Sequence, residues 1–147
     1  MSFTYQHPHP AVAVDGVVFG FDDADLKLLL IQRKVDPFKG KWALPGGFVD
    51  MEEQAIDAAK RELQEETGLT DVPLKFLSYF DGVHRDPRER TLSLAFCGVV
   101  EKRLKVRAGD DAAGAKWRPL AALPELAFDH DIILKAAIKR FGRAIGV

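Results

Sequence analysis

The stretch Gly47–Leu69 reads GFVDMEEQAIDAAKRELQEETGL and is the most informative part of the chain. Residues 54–67 contain no Gly or Pro, and their apolar residues recur at the spacing of one amphipathic helix. Residues three or four positions apart share a helix face, which predicts that Glu62, Glu65 and Glu66 form one carboxylate cluster. Because like charges repel, such a cluster indicates a bound divalent cation, and oxygen ligands suit Mg²⁺ or Mn²⁺.

A solvated acidic helix face is the plainer interpretation of the same carboxylates. The whole stretch, however, follows a fixed pattern: Gly, five residues, Glu, seven residues, then Arg-Glu-aliphatic-x-Glu-Glu-x-Gly-aliphatic. This pattern resembles the signature of the Nudix hydrolases at every fixed position. With ordinary residue usage, such a match is expected by chance at about one starting position in 10⁹. The matching residues are Gly47, Glu53, Arg61, Glu62, Leu63, Glu65, Glu66, Gly68 and Leu69.

Length and composition predict a single domain over residues 1–147. The 147 residues are 47% hydrophobic and 29% charged, with a net charge of −1. Without a basic excess the chain lacks the electrostatic basis for binding nucleic acid or a membrane surface, so neither partner is expected. No apolar run approaches the ~20 residues that cross a bilayer, and the N-terminal residues do not resemble a secretion signal.

The single cysteine, Cys97, lies in the apolar run Leu92–Cys97 and cannot form a disulfide within the chain. We interpret it as a buried core thiol rather than a catalytic group. An unpaired thiol of this kind is typical of a reducing compartment, so the cytoplasm is the expected location.

The remaining pattern predicts mostly strands, with one further helix over Asp129–Ala144. A hairpin turn is expected at Asp22–Asp25 and a tight turn at Gly46–Gly47. Such a pattern favours a mixed sheet covered by helices. The resemblance implies the same α/β class more sharply: an α/β/α sandwich with a mixed curved sheet and a loop–helix–loop signature. The predicted strands are Ala11–Phe21, Leu26–Arg33, Trp42–Pro45, Leu74–Phe80, Thr91–Val100 and Ala115–Arg118.

The resemblance also implies roles for the signature carboxylates. Glu62 and Glu66 are expected to be the principal ligands of Mg²⁺ or Mn²⁺, with Glu65 as a third or alternate ligand and a candidate catalytic residue. The carbonyl of Gly46 is expected to add a backbone ligand. Metal bound there would bridge the oxygens of a diphosphate and activate a water for attack on phosphorus.

Other signature positions are expected to be structural. Arg61 and Glu53 are predicted to hold the loop and the acidic helix together through an ion pair. Glu53 is also carried as a catalytic candidate, because it could instead contact metal through water. Gly47 and Gly68 are expected to shape the backbone.

A general base outside the signature is expected by resemblance to several Nudix enzymes. The candidate is Asp111, which we favour over Asp110 because of its distance along the chain from Trp117. Asp86 and Glu89 are the rivals, and a solvated loop carboxylate without a role is the plain alternative.

The segments Lys39–Val49, Asp86–Arg88 and Leu126–His130 resemble one branch of the family. That branch contains ADP-ribose pyrophosphatases and the sensor domains of NAD-metabolism regulators, and the resemblance spans about residues 8–142. It implies hydrolysis of ADP-ribose, a small-molecule nucleotide, to AMP and ribose 5-phosphate.

Several residues are candidates for contact with the substrate. Arg85, Arg88 and Arg90 offer guanidinium groups to phosphate, although a surface arginine loop without a ligand is nearly as good an interpretation. Phe38 and Trp42 could each stack on a base or pack in the core; Phe38 is kept as a candidate substrate contact, and Trp42, which begins a strand, is assigned to the core. His84 and His130 are interpreted mainly as surface or rim histidines.

Two other functions stay open at this point. A non-catalytic ADP-ribose-sensing domain would use the same fold, and a house-cleaning hydrolase of oxidised nucleoside triphosphates or dinucleoside polyphosphates would use the same signature. Many relatives are homodimers, and exposed apolar strands near the N-terminus would be a reasonable dimer interface.

Overall fold

A computed structural model describes residues 2–22, 25–101 and 112–147. In this part of the chain the α-helices are α1, Ala55–Thr67, and α2, His130–Ile145, and a 3₁₀ turn covers Leu120–Ala122. The strands are β1 Ala11–Asp22, β2 Asp25–Arg33, β3 Trp42–Ala43, β4 Gly46–Phe48, β5 Lys75–Phe80, β6 Thr91–Val100 and β7 Ala112–Pro119. No helix of the described residues is long and apolar enough to cross a membrane.

The strands form one mixed sheet in the order β3-β2-β1-β6-β5. β1 and β6 run parallel, from Ala11 opposite Thr91 to Gly20 opposite Val100, and the other pairs are antiparallel. β4 also pairs with β1, and β7 pairs with β2. The prediction of a mixed α/β fold is therefore confirmed.

The two helices cover opposite faces of this sheet, because side chains alternate along a strand. Val17 and Phe19 of β1 belong to the core cluster that contains Ile133 of α2. Val18, between them, packs with Leu63 of α1 on the other side. The sheet thus holds α1 and α2 as separate layers, as the sandwich prediction requires.

The signature helix ends where its sequence predicts. Gly68 adopts a left-handed conformation with φ 80°, and its N–H donates to the Gln64 carbonyl at 2.8 Å. A residue with a Cβ is strained in this conformation, which explains Gly at this signature position. Ala58, Ala59 and Leu63 face the sheet, and this orientation places the next stripe of the helix toward β4.

One local prediction is wrong, and a second lies partly outside the described residues. Gly46–Gly47 was expected to form a tight turn, but it begins β4, in which Gly46 pairs with Asp15 and Gly47 with Val14. The hairpin at Asp22–Asp25 is supported by the pairing of those two residues, although the residues between them lie outside the described part.

Candidate functional site

A cleft of about 270 Å³ opens where β1, β4, α1 and the loop 81–90 meet. Its lining includes residues of the signature and three arginines. The lining residues that could bind a metal or a phosphate are Gly46, Glu62, Glu66, Arg33, Arg85 and Arg88. Five of these six were predicted from the sequence as metal or substrate contacts; Arg33 was not.

Glu62 and Glu66 lie one helical turn apart on the face of α1 that borders the cleft. The Glu66 residue is 7% exposed, and its Oε1 accepts a hydrogen bond from the Gly46 N–H at 3.0 Å. Burial, followed by the hydrogen bond with Glu62, raises the pKa of Glu66 to about 9. Burial also raises the pKa of Glu62. The two carboxyl groups therefore resist being ionised together unless a cation neutralises them.

Glu65, the third carboxylate of the expected cluster, lies apart from the cleft in this structure. The Glu65 side chain is 55% exposed, does not line the cleft and lies 3.3 Å from Nη1 of Arg61. Glu65 and Glu66 are neighbours in sequence and point about 100° apart around a helix. Among the described residues, no group of three or more His, Cys, Asp or Glu side chains is arranged to hold a metal ion.

Arg61 joins the loop before α1 to the helix itself. Its Nε and Nη2 atoms donate to the two Glu53 oxygens at 3.0 and 2.6 Å, and Nη2 also donates to the Phe48 carbonyl at 3.1 Å. Its Nη1 donates to Glu62 at 2.8 Å. The hydrogen bond from Arg61 lowers the pKa of Glu53. Glu53 does not border the cleft, and Arg61 connects it to Glu62, which does.

The glycines of β4 let the backbone approach these groups closely. An ideal Cβ on Gly47 would lie 2.5 Å from Oε1 of Glu62, and one on Gly46 would collide with the Val14 carbonyl. Any larger residue at position 47 would fill the space that the Glu62 carboxylate occupies. The buried carboxylate of Glu66 and the partly buried carboxylate of Glu62, beside a glycine backbone, are oxygen donors that fit a hard divalent cation.

A buried polar network forms the floor of the cleft. Arg85 donates to both oxygens of Asp129, from Nε at 3.0 Å and from Nη2 at 2.8 Å. Its Nη2 lies 3.6 Å from Asp15, which also accepts the Ser93 hydroxyl. His130 lies on the other side of Asp15, at 3.2 Å. His130 was interpreted as a rim histidine, but it is 4% exposed and belongs to the core of this network.

The loop residues divide into those that reach the cleft and those that do not. Asp86 and Arg88 line it, and Asp86 accepts from Nε and Nη2 of Arg88 at 3.1 and 2.8 Å. Burial alone would raise the pKa of Asp86, but the hydrogen bonds from Arg88 outweigh it and lower the pKa. Arg90 instead donates to the Asp81 carbonyl, and neither Arg90 nor Glu89 borders the cleft. Asp110 and Asp111 lie outside the described residues.

Among the aromatic residues and histidines considered as substrate contacts, Phe38, Trp42 and His84 do not line the cleft. Phe38 is 38% exposed and contacts Phe128 at 4.7 Å between ring centroids, beside the cleft rather than in its lining. Trp42 packs against the core, as predicted. His84 is exposed and does not line the cleft. Burial raises the pKa of the Cys97 thiol to about 12, as expected of an inert core cysteine.

Three cleft residues were missed from the sequence. Asp15 and Arg33 lie in β1 and β2, where a charged residue in an apolar strand is the signal that could have found them. Phe128 precedes α2 and gives no local signal except its position in the Leu126–His130 segment.

Comparison with known proteins agrees with this geometry. The NUDIX domain family matches residues 9–141, so the chain belongs to that family, as the signature predicted. An ADP-ribose pyrophosphatase of Methanocaldococcus jannaschii is 48% identical over 128 residues, which are 86% of this chain and 72% of the relative. Nudix hydrolases generally use divalent metals.

Two further relatives are a transcriptional repressor and a solved NUDIX domain. The ADPR responsive transcriptional repressor NtrR of Acinetobacter baylyi is 33% identical over 91% of this chain, which spans 55% of the repressor. The NUDIX domain of Shewanella oneidensis NrtR, solved in complex with ADP ribose, is 30% identical with a TM-score of 0.85. That match covers 92% of this chain and 90% of the solved one.

Proposed function

We propose that this protein is a metal-dependent pyrophosphohydrolase that cleaves ADP-ribose to AMP and ribose 5-phosphate. The observation that carries the proposal is that the Glu62–Glu66 pair lines the same cleft as Arg85 and Arg88. Carboxylates and guanidinium groups in one cleft suit a diphosphate that is held by a cation and by arginine together. The 48% identity to an ADP-ribose pyrophosphatase supports this choice of substrate.

Mg²⁺, or Mn²⁺ in its place, is the proposed metal. Glu62 and Glu66 would hold it, and the carbonyl of Gly46 would add a backbone oxygen. The cation would supply charge neutralisation for the diphosphate and lower the pKa of a bound water. Glu65 would become a third ligand or a catalytic carboxylate only after leaving Arg61, and Glu53 would act at most through water because Arg61 occupies both of its oxygens.

The chain's own residues position the substrate and the proton acceptor. Arg85 is held by Asp129 through Nε and Nη2, which leaves Nη1 for a phosphate oxygen. We keep Asp111 as the proposed general base. Asp86 is the rival that borders the cleft, but the two hydrogen bonds from the Arg88 side chain stabilise its ionised form and occupy it. Glu89 is the remaining rival.

Arg90 and Phe38 have weaker support as substrate contacts. Arg90 is bonded to a backbone carbonyl away from the cleft. Phe38 could reach a base only at the outer edge, next to Phe128.

An ADP-ribose-sensing domain without turnover is the second candidate. The similarity to two regulators, one of them solved with ADP ribose, favours it. Against it stand the signature carboxylates, which are all retained here. A house-cleaning hydrolase would release different products, so the product analysis below also distinguishes it from an ADP-ribose pyrophosphatase.

The test is product analysis by chromatography, with Mg²⁺, on ADP-ribose, NADH, diadenosine polyphosphates and 8-oxo-dGTP. AMP released fast from ADP-ribose, and dependent on metal, supports the enzyme. Tight binding of ADP-ribose without any product overturns it in favour of the sensor. Preferred turnover of 8-oxo-dGTP or of diadenosine polyphosphates overturns the substrate assignment alone.

We also propose a homodimer and a cytoplasmic location. Phe3, Tyr5 and Val12, near the start of the chain, are 55%, 50% and 40% exposed and offer apolar surface for a second copy. Light scattering coupled to gel filtration tests the dimer, and a monomer mass would remove it. The buried thiol of Cys97 is consistent with a reducing compartment, and cell fractionation tests that location.

A further inference from the structure

The backbone polar groups of Gly46 point away from β1. Just before β4, the Gly16 N–H donates to the Pro45 carbonyl at 2.8 Å, so these two residues form a hydrogen-bonded pair. The next pair, Asp15 with Gly46, is then a non-hydrogen-bonded one, in which N–H and C=O are directed away from the partner strand. The Gly46 N–H accordingly donates to Oε1 of Glu66 at 3.0 Å, and the Gly46 carbonyl is directed to the same edge of β4.

The segment that leads to β4 is held by a side chain of α2. Trp42 and Leu126 form a parallel bridge, and the Ala127 N–H donates to the Trp42 carbonyl at 2.8 Å. The next donor along this segment, the Leu44 N–H, is bonded to Nδ1 of His130 at 3.0 Å rather than to a backbone carbonyl. The imidazole thus extends the pairing by one further hydrogen bond toward the cleft.

Pro45 makes this hydrogen bond important for the position of Gly46. Its ring fixes φ and it has no N–H, so the Leu44 N–H is the last backbone donor before Gly46. A shift of Leu44 is therefore carried to Gly46 through a stiff residue.

Asp15 selects the form of the ring that can hold Leu44. His130 is 4% exposed, and its Nε2 lies 3.2 Å from Oδ1 of Asp15. Because an ionised carboxylate only accepts hydrogen bonds, it favours the proton on Nε2 and leaves Nδ1 as an acceptor. A proton on Nδ1 would instead face the Leu44 N–H, and two donors cannot bond to each other.

We propose that His130, oriented by Asp15, is a positioning residue for the proposed metal site. It holds Leu44 and so fixes where Gly46 lies. Gly46 in turn holds Glu66 by its N–H and directs its carbonyl to the same edge. This inference rests on the metal site of the proposed function and adds the residues that keep that site in shape.

The test measures the Kd of Mn²⁺ without nucleotide, by electron paramagnetic resonance of the free ion. His130→Phe keeps a ring but removes both nitrogens, and its Kd should rise about tenfold or more, as when a group behind a metal ligand is lost. His130→Asn restores an acceptor near the position of Nδ1 and should recover much of the affinity. A merely structural role would not give this recovery, because Asn fills a buried apolar space less well than Phe.

Ile145→Ala is the matched control for lost stability. It truncates a buried side chain at the last residue of α2, outside the cleft lining. It should lower the Tm but leave the Kd for Mn²⁺ unchanged, with every variant measured well below its own Tm.

Nitrogen-15 NMR of the His130 ring gives a second readout that needs no metal. We expect a proton on Nε2 and none on Nδ1 in the wild type. A proton on Nδ1 would exclude the hydrogen bond from the Leu44 N–H and overturn the inference.

The outcomes separate this inference from the proposed function. If folded His130→Phe binds Mn²⁺ as tightly as Ile145→Ala does, the inference is overturned whatever the wild type hydrolyses. A wild type that binds no Mn²⁺ overturns it as well, since there is then no site to position. If the Kd depends on His130 but the wild type releases no AMP from ADP-ribose, the inference stands and the proposed hydrolase fails.

Discussion

His130 uses both nitrogens of its ring inside the protein. Nδ1 accepts a hydrogen bond from the Leu44 N–H at 3.0 Å, and Nε2 lies 3.2 Å from Oδ1 of Asp15. Because Nδ1 is an acceptor, the proton of the neutral ring is on Nε2, facing the carboxylate. The ring thus ties β1 to the segment that leads into β4, directly beneath the cleft.

Replacing His130 with Phe should destabilise the fold. The change leaves the buried N–H of Leu44 without an acceptor and removes the neighbour of Asp15. We expect a loss of about 2–4 kcal/mol in the free energy of unfolding, the cost of leaving one buried donor unpaired and removing one partner of a buried carboxylate. Urea denaturation followed by circular dichroism measures it.

The matched control for this loss is His84→Phe, at an exposed position outside the cleft. It should change the free energy of unfolding by less than about 0.5 kcal/mol. Equal effects at positions 84 and 130 would show that the His130 contacts contribute nothing measurable.

Glu66 should make the metal-free protein less stable as pH rises. Its folded pKa of about 9 lies above the ordinary value of 4.5. Below the lower value both states are protonated. Between the two values the unfolded chain ionises first and binds fewer protons, so stability falls. We expect the Tm without metal to drop by at least about 5 °C from about pH 5 to about pH 8.5.

Glu66→Gln should remove most of this drop, because the amide resembles the protonated carboxyl and can still accept from the Gly46 N–H. Glu52→Gln, at an exposed position, should leave the drop intact. Mg²⁺ should also reduce it, since the cation favours ionised carboxylates. A Tm independent of pH in the metal-free wild type would contradict the raised pKa.

The elements that could be predicted are those whose signal is local. Long apolar strands such as β1 and β6, and the α1 helix with its Gly68 end, follow from spacing alone. β4 was missed because Gly is unusual in strands and Gly46–Gly47 resembles a turn. Glycine is needed there because the backbone closely approaches Val14 and Glu62. Such a long-range contact cannot be recognised from a short segment of sequence.

The candidate site divides in the same way. Glu62 and Glu66 were predicted because both belong to one helix and one motif. Asp15 and Arg33 were missed because their roles depend on partners from distant parts of the chain, such as His130 for Asp15 and Phe128 for Arg33. The pairing of Glu65 with Arg61 could not be predicted, because spacing alone does not tell which carboxylates Arg61 attracts.

Gly47→Ala should damage turnover more than stability. The added Cβ would meet the Glu62 carboxylate, which is the far end of a flexible side chain and can move away. Displacement of a proposed metal ligand should lower kcat for ADP-ribose by about tenfold or more, with little change in Tm. Steady-state kinetics with Mg²⁺ measures the first and thermal unfolding the second.

Gly82→Ala serves as the control, because its Cβ would have an ordinary contact of 3.6 Å with Arg85. Its kcat should stay close to that of the wild type. A Gly47→Ala enzyme with normal kcat would mean that the position of Glu62 is unimportant for the reaction.

The three signature carboxylates should differ in their effect on turnover. Glu66→Gln and Glu62→Gln each remove a charge that faces the cleft, so kcat should fall by about two orders of magnitude or more. Glu65→Gln removes an exposed charge paired with Arg61, and its kcat should fall by less than about tenfold. A larger loss in Glu65→Gln than in Glu66→Gln would show that Glu65 turns into the cleft when metal is bound.

Asp111→Asn tests the proposed general base, which lies outside the described residues. The amide keeps the size of the side chain but cannot take a proton from water. General-base catalysis contributes about 10²–10⁴-fold, so kcat for ADP-ribose should fall by at least the lower figure, with a smaller change in Mg²⁺ affinity. Asp110→Asn, next to it, should keep kcat within about twofold if Asp111 alone is the base. A full rate in Asp111→Asn would return the role to Asp86 or Glu89, and Asp86 would come first because it already borders the cleft.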